Sequence, residues 1–270
     1  MGEVKAMKCY KALFDGMRGG TGISSMVNVT SGKFCGDYGR GSAMVQIGGY
    51  GADPYEGNRK AIVDFLKPHI EEARRSGAKV AVNTLALNLD YLVEFVKGFE
   101  EAGGDFVEYN AHTPSQGYVS KGLGYIQFAP KNQRSLFEFT KRLSDALSIP
   151  LIVKGRAWSP ASSGSVERVA ADYAVLAEEL VKHGASAIHL NIRKEDEKRY
   201  DLDVLKEIRD KSDVFLIASG YAGLTHGGGV SLDKAVSDAK AILDAGADLV
   251  LIGEAAMHDP TIVERLAERL

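Results

Sequence analysis

Lys154 and Arg156 follow the apolar run Ile149-Pro150-Leu151-Ile152-Val153. A cation at the end of such a run is drawn out of water and needs a partner. The residues alone leave three uses open: an anionic ligand or phosphate, a nucleophilic amine, or an ion pair with Glu108 on the preceding apolar run. Other polar residues stand in the same kind of place, just after an apolar stretch: Asn28 and Thr30, Gln46, Asn83, Asn110 and His112, Ser219 and Gly220, Gly253 and Glu254. His189 and Asn191 alternate, so they share a face, with Arg193 two further on. His112 can act as acid or base near neutral pH. Its neighbour Thr113 is a poor proton donor but can hydrogen-bond. A single Asn at such a position can simply cap the next helix; the convergence of so many is what points to a site. His69 and His183 fall at helix ends and His226 in a glycine loop, places less suited to chemistry.

The elements that must carry these residues follow from a recurring pattern. A helical stretch ends in glycine, then comes a small residue, then a short apolar run: 71–83, 99–110, 180–191 and 242–253. Gly77, Gly103, Gly184 and Gly246 sit where the helix should stop in the left-handed conformation. The runs after them are too apolar for an exposed sheet and read as parallel strands covered by helices. The expected strands are 24–29, 42–47, 78–83, 105–110, 149–154, 186–190, 214–218 and 248–252. The expected helices are 57–76, 88–102, 132–147, 166–183, 201–210, 232–245 and 258–269. Eight strands alternating with helices in about 250 residues predict an α/β fold, a single-domain parallel (β/α)8 TIM barrel. No G-x-G-x-x-G follows an early strand to favour an open doubly wound sheet. Residues 1–22 stand outside the repeat and are expected to form an arm or a cap over the barrel bottom, with 23–270 as the barrel.

In such a barrel the site lies at the C-terminal ends of the strands. The glycine turns in 218–223 and 251–256 suit phosphate binding by backbone N–H groups. The loop 110–124 reads as a lid or substrate loop.

Composition narrows the rest. The chain of 270 residues is 45% apolar, with a net charge of -3, which argues against a surface built to wrap nucleic acid. Two cysteines, Cys9 and Cys35, cannot make a zinc site alone and read as reduced thiols; no metal site is expected. The start carries no signal peptide, and no apolar run approaches the ~20 residues that cross a bilayer, so a cytoplasmic protein without membrane contact is expected. A homodimer is a reasonable prior for a barrel of this size.

The strand-end residues resemble those of the flavin-dependent barrels of the dihydrouridine synthase and dihydroorotate dehydrogenase superfamily, from about residue 78 to 260. The family's Asn-x-Gly-Cys-Pro stands here as Asn110-Ala111-His112-Thr113-Pro114, with Lys121, Gly122 and Gly124 downstream. Its Val-Lys-x-Arg is matched by Val153-Lys154-Gly155-Arg156. Its His-Gly-Arg looks like Asn191-Ile192-Arg193, its Asn-Gly turn like Ser219-Gly220, and its Gly-Arg-Gly/Ala like Gly253-Glu254-Ala255. The resemblance implies an FMN-dependent oxidoreductase acting on a small heterocyclic C=C or C=N substrate. It places the flavin near Asn28, Asn83, Lys154 and Asn191, with the phosphate at Ser219, Gly220, Gly253, Glu254 and Ala255. The substrate would face Asn110, His112, Lys121, Arg156 and Arg193, with Lys154, His112 and Thr113 as the catalytic candidates. Four departures stand out. Met26-Val27-Asn28 replaces Ala-Pro-Met, Thr113 the proton-donating cysteine, Glu254 the phosphate-side arginine, and Asn191 the histidine. The chain ends at Leu270 without the helical domain that grips tRNA, so the expected partner is a small molecule rather than tRNA. Two other readings stay open: a flavin-free phosphate-binding lyase or isomerase that uses Lys154, and a non-catalytic barrel.

Overall fold

The computed structural model describes residues 10–194, 199–220, 222–225 and 228–270. Cys9, His226 and Tyr221 lie outside them. Eight parallel strands close into a barrel in sequential order: β1 (Gly20–Ile23), β2 (Met44–Gly51), β3 (Lys79–Leu85), β4 (Phe106–Asn110), β5 (Leu151–Arg156), β6 (Ala187–Asn191), β7 (Phe215–Ser219) and β8 (Leu249–Ile252). β1 completes the ring, with Gly20 opposite Leu249 and Gly22 opposite Met44. The covering helices are α1 (Gly32–Tyr38), α2 (Arg59–Ala73), α3 (Leu89–Glu101), α4 (Gln133–Ala146), α5 (Tyr173–Lys182), α6 (Asp203–Arg209), α7 (Leu232–Asp244) and α8 (Ile262–Ala267). The four repeat glycines end their helices in the left-handed region, with φ of 80° at Gly77, 92° at Gly103, 97° at Gly184 and 110° at Gly246.

Three expectations shift. The first strand is Gly20–Ile23; residues 24–29 form the loop after it, so Asn28 sits exposed in a turn rather than at a strand end. Helix α1 lies outside the expected helices, and it holds two glycines, which usually weaken a helix. Here they allow close packing on α2. A Cβ on Gly32 would lie 2.1 Å from the His69 carbonyl oxygen, and one on Gly36 2.2 Å from that of Glu72. Helix α5 is also shorter than the expected 166–183, because 166–172 belong to the loop after β5.

Period-two alternation divides the barrel wall. Val45, Ile47, Val80, Val82, Val107, Tyr109, Val153, Ile188 and Leu190 face outward into the layer shared with the helices. The opposite face of the same strands fills the interior. Its lower part is an apolar plug of Met44, Ala81, Phe106, Ile152, Ala187, Phe215, Ile217, Leu249 and Leu251. Residues 10–15 are helical, and Phe14 and Met17 join this plug. The Phe14 ring lies 5.6 Å from Phe106 and 4.6 Å from Phe215. Beside it Asp248 receives Arg18 and, at 2.7 Å, Arg209.

Candidate active site

Two residues above the plug, the interior becomes polar. Gln46 on β2, Asn83 on β3, Glu108 on β4, Lys154 on β5 and His189 on β6 are all buried. The inward period of two places each directly beyond an apolar residue of the plug. Glu108 is the centre. Its Oε1 accepts from Asn83 Nδ2 at 2.6 Å and lies 3.4 Å from Lys154 Nζ. Its Oε2 accepts from Gln46 Nε2 and lies 2.7 Å from His189 Nδ1. Lys154 also donates to the hydroxyls of Ser24 at 3.1 Å and Ser25 at 3.4 Å, just past β1. The ion pair with Glu108 therefore forms, and the ammonium has three acceptors.

A carboxylate only accepts, so Glu108 gives direction to everything bonded to it. Asn83 spends its amide N–H on Glu108, which leaves its Oδ1 to accept from Asn110 Nδ2 at 2.8 Å. Asn110 then offers its own Oδ1 to the His112 backbone N–H at 3.0 Å. Gln46 likewise turns its Oε1 to the Ser25 N–H at 3.1 Å. His189 donates from Nδ1, so its Nε2 accepts from the Ser219 hydroxyl at 2.9 Å.

The charges follow from burial and neighbours. Burial would raise the Glu108 carboxyl, but the Lys154 charge and the donors His189 and Asn83 bring it down to about 2. Burial and the Lys154 charge lower His189 to about 4 against the pull of Glu108, so this imidazole is neutral at pH 7. Burial lowers Lys154 as well, opposed by Glu108.

At the rim, Arg156 is buried, and Asn191 Nδ2 lies 3.1 Å from His112 Nε2. Arg193 donates its backbone N–H to Asn191 Oδ1 at 3.0 Å. Burial, with the charges of Arg156, Lys154, His189 and Arg193, holds His112 well below the ordinary imidazole range. The structure thus brings Asn83, Asn110, His112, Lys154, Asn191 and Ser219 into one bonded set, joined by the Arg193 backbone.

The other expected residues lie apart. Thr113 is tied into a local turn, its hydroxyl accepting from the Ser115 N–H at 3.3 Å. Lys121 is exposed on the loop after β4. That loop is anchored rather than open, since Tyr109 donates to Gln127 at 2.7 Å and Phe128 packs over Gly155. A Cβ on residue 155 would fall 2.1 Å from the Phe128 ring. Gly220 and Gly253 follow β7 and β8. Glu254 is exposed as the first residue of the short helix Glu254–His258, while Ala255 behind it is buried. From sequence alone Glu108 stands out only as an ion-pair partner, and Ser24 and Ser25 do not stand out at all. The signal for Glu108 was its place two residues before Asn110 on an otherwise apolar run, the same inward face.

Comparison with known proteins decides the family. The sequence profile of the dihydrouridine synthase (Dus) family matches residues 60–270, most of the chain and all the strands from β3 onward. The chain belongs to the dihydrouridine synthase family. An uncharacterised protein of Methanocaldococcus jannaschii is 27% identical over 150 residues, which cover 50% of this chain and 57% of that protein. The chain thus spans a little over half the length of this relative. Among solved structures, morphinone reductase superposes with a TM-score of 0.61 at 12% identity, covering 92% of this chain and 83% of that one. A FabK mutant from Thermotoga maritima gives 0.54 at 14%, covering 94% and 66%, and dihydrodipicolinate synthase from Agrobacterium tumefaciens 0.51 at 15%, covering 95% and 81%. At these identities the likeness concerns the barrel alone. Family membership runs against the expectation that tRNA is not a partner, which rested on where the chain ends. No helix among the described residues is long and apolar enough to cross a membrane.

Proposed function

We propose that this barrel is an FMN-dependent oxidoreductase acting on a C=C or C=N bond of a small heterocycle. The observation that carries the reading is the buried Lys154 ammonium at the mouth, held by Glu108, Ser24 and Ser25 in a family of flavin barrels. FMN supplies hydride transfer when bound, and a fixed cation beside the ring tunes it.

The residues present fit the cofactor. Gly220 and Gly253 stand at the turns directly after β7 and β8, where backbone N–H groups suit phosphate oxygens. Glu254, whose charge opposes a phosphate, points its side chain to solvent. Lys154 would hold the ring, with Asn83 beneath it as part of the floor, and Ser219, Gly220, Gly253 and Ala255 would hold the phosphate. Asn110, His112, Arg156 and Arg193 would face the substrate.

The test is an absorbance spectrum of freshly purified protein, with the heat-released supernatant examined for flavin. Flavin bands and released FMN are expected. A colourless protein that takes up no added FMN overturns the reading. Reduction of uridine in unmodified tRNA, assayed beside free heterocycles, separates a nucleic-acid substrate from a small one.

A further inference from the structure

The directed bonds at the mouth end on His112, and they determine which of its ring nitrogens carries the proton. Asn191 Oδ1 accepts the Arg193 backbone N–H at 3.0 Å, so the amide of Asn191 is pinned with Nδ2 on the other side. That Nδ2 donates only, and it lies 3.1 Å from His112 Nε2. Nε2 must therefore be the bare, accepting nitrogen. The same conclusion follows from the charges around the ring: Lys154 and Arg156 on β5 and Arg193 beyond β6 are cations, and His189 is neutral. A second proton on His112 would face both the Asn191 donor and these cations. The proton of the neutral ring then sits on Nδ1. That atom has no partner among the described residues, and it is not one of the buried polar atoms left unpaired, so solvent or a ligand reaches it. The backbone beneath the ring is fixed as well, by the bond from His112 N–H to Asn110 Oδ1 at 3.0 Å, the last link of the chain from Glu108.

We infer that His112 works as a neutral Nδ1–H hydrogen-bond donor, aimed at a carbonyl or anionic oxygen of the ligand, and that Asn191 is the positioning residue that fixes this tautomer. This deepens the reading of the mouth as a substrate site but does not need a flavin. The role differs from that of a histidine acid or base, because the ring does not change charge across the physiological range. It supplies a fixed dipole where negative charge grows on a bound oxygen, the kind of preorganised donor that stabilises such charge best.

The test is nitrogen NMR of the two imidazole nitrogens of His112 in the full chain, assigned by loss of the signals in His112→Gln. The expected result is a protonated Nδ1, an unprotonated Nε2 and no titration between pH 6 and 8. Asn191→Asp places an acceptor against Nε2; it should move the proton to Nε2 and bring the titration of His112 up into that range. Asn191→Leu, which fills the place without a donor, should leave a mixture of tautomers. A wild-type ring protonated on Nε2, or one that titrates above pH 6, overturns the inference. So does an Asn191→Asp protein, folded by circular dichroism, whose His112 is unchanged. The flavin content of the same samples reports separately. Colourless protein with the expected tautomer removes the flavin reading alone, and flavin-loaded protein with the other tautomer removes this inference alone.

Discussion

The interior of this barrel holds two regions built on the same strands, two residues apart. Phe106, Ile152, Ala187, Ala81 and Met44 make a dry plug; Glu108, Lys154, His189, Asn83 and Gln46 make a charged, fully bonded cluster directly above. The same strands carry both layers, and the residues of both are buried. The plug is stabilised by apolar area removed from water and tolerates no charge. The cluster buries an ion pair, which is weak evidence for stability because desolvation offsets much of the attraction. A fold needs the first region. The second has no comparable structural return, and its place at the strand ends points to a ligand.

The sharpest way to break the comparison is to move a charge down one period. Ile152→Lys puts an ammonium in the plug with no carboxylate to meet it; the protein should fail to fold or lose upward of ~4 kcal/mol in denaturant unfolding. A stable Ile152→Lys protein would mean the plug is wetter than its residues indicate.

Removing Glu108 comes next. Glu108→Ala leaves Lys154 buried without its counter-charge and should cost about 3–5 kcal/mol. The double variant Glu108→Leu with Lys154→Met should regain most of that loss while abolishing FMN uptake, measured by absorbance. If the double variant is no more stable than Glu108→Ala, the cluster is a structural device after all.

Acid sharpens the contrast further. Glu108 is held at about 2, below the ~4.3 of an unfolded chain, so its contribution is present above that value and is lost as pH falls towards 2. His189 sits at about 4 against ~6.5 unfolded, so its share is complete above 6.5 and disappears as pH falls through 4. Stability should therefore decline from about pH 6.5 downward, by roughly 3 kcal/mol from Glu108 alone. Urea midpoints across this range should show it, and Glu108→Gln should flatten the lower part. The smallest effect belongs to the rim. Glu254→Ala should change stability by less than ~0.5 kcal/mol and strengthen FMN retention in equilibrium dialysis.

The two regions were not equally legible in the sequence. The strands from β2 to β8 announce themselves as short apolar runs, and β3, β4, β6 and β8 also follow a glycine stop. β1 does not. Its four residues, Gly-Thr-Gly-Ile, lack the side chains that make a pattern, and the longer stretch after it drew the assignment instead. Helix α1 was hidden for a related reason, since the glycines that let it touch α2 look like breakers. At the mouth, the sequence offered the polar residues one by one but not their order. Lys154 stood out as a charge after apolar residues. Glu108 carries the same signal on β4, yet its role as the common acceptor depends on barrel closure, which brings β2, β3, β5 and β6 round one carboxylate. The tie between His112 and Asn191, 79 residues apart, needed the structure for the same reason.

The plug has a consequence for traffic. Phe14 and Met17 seated among its residues close the lower end of the barrel interior among the described residues. Lys154 lies above that closed end, on the side of the strand ends where His112, Arg156 and Asn191 stand. If the proposed flavin binds there, donor and acceptor would share that rim, and initial-rate plots against both are expected to run parallel; intersecting lines would mean the two are bound together.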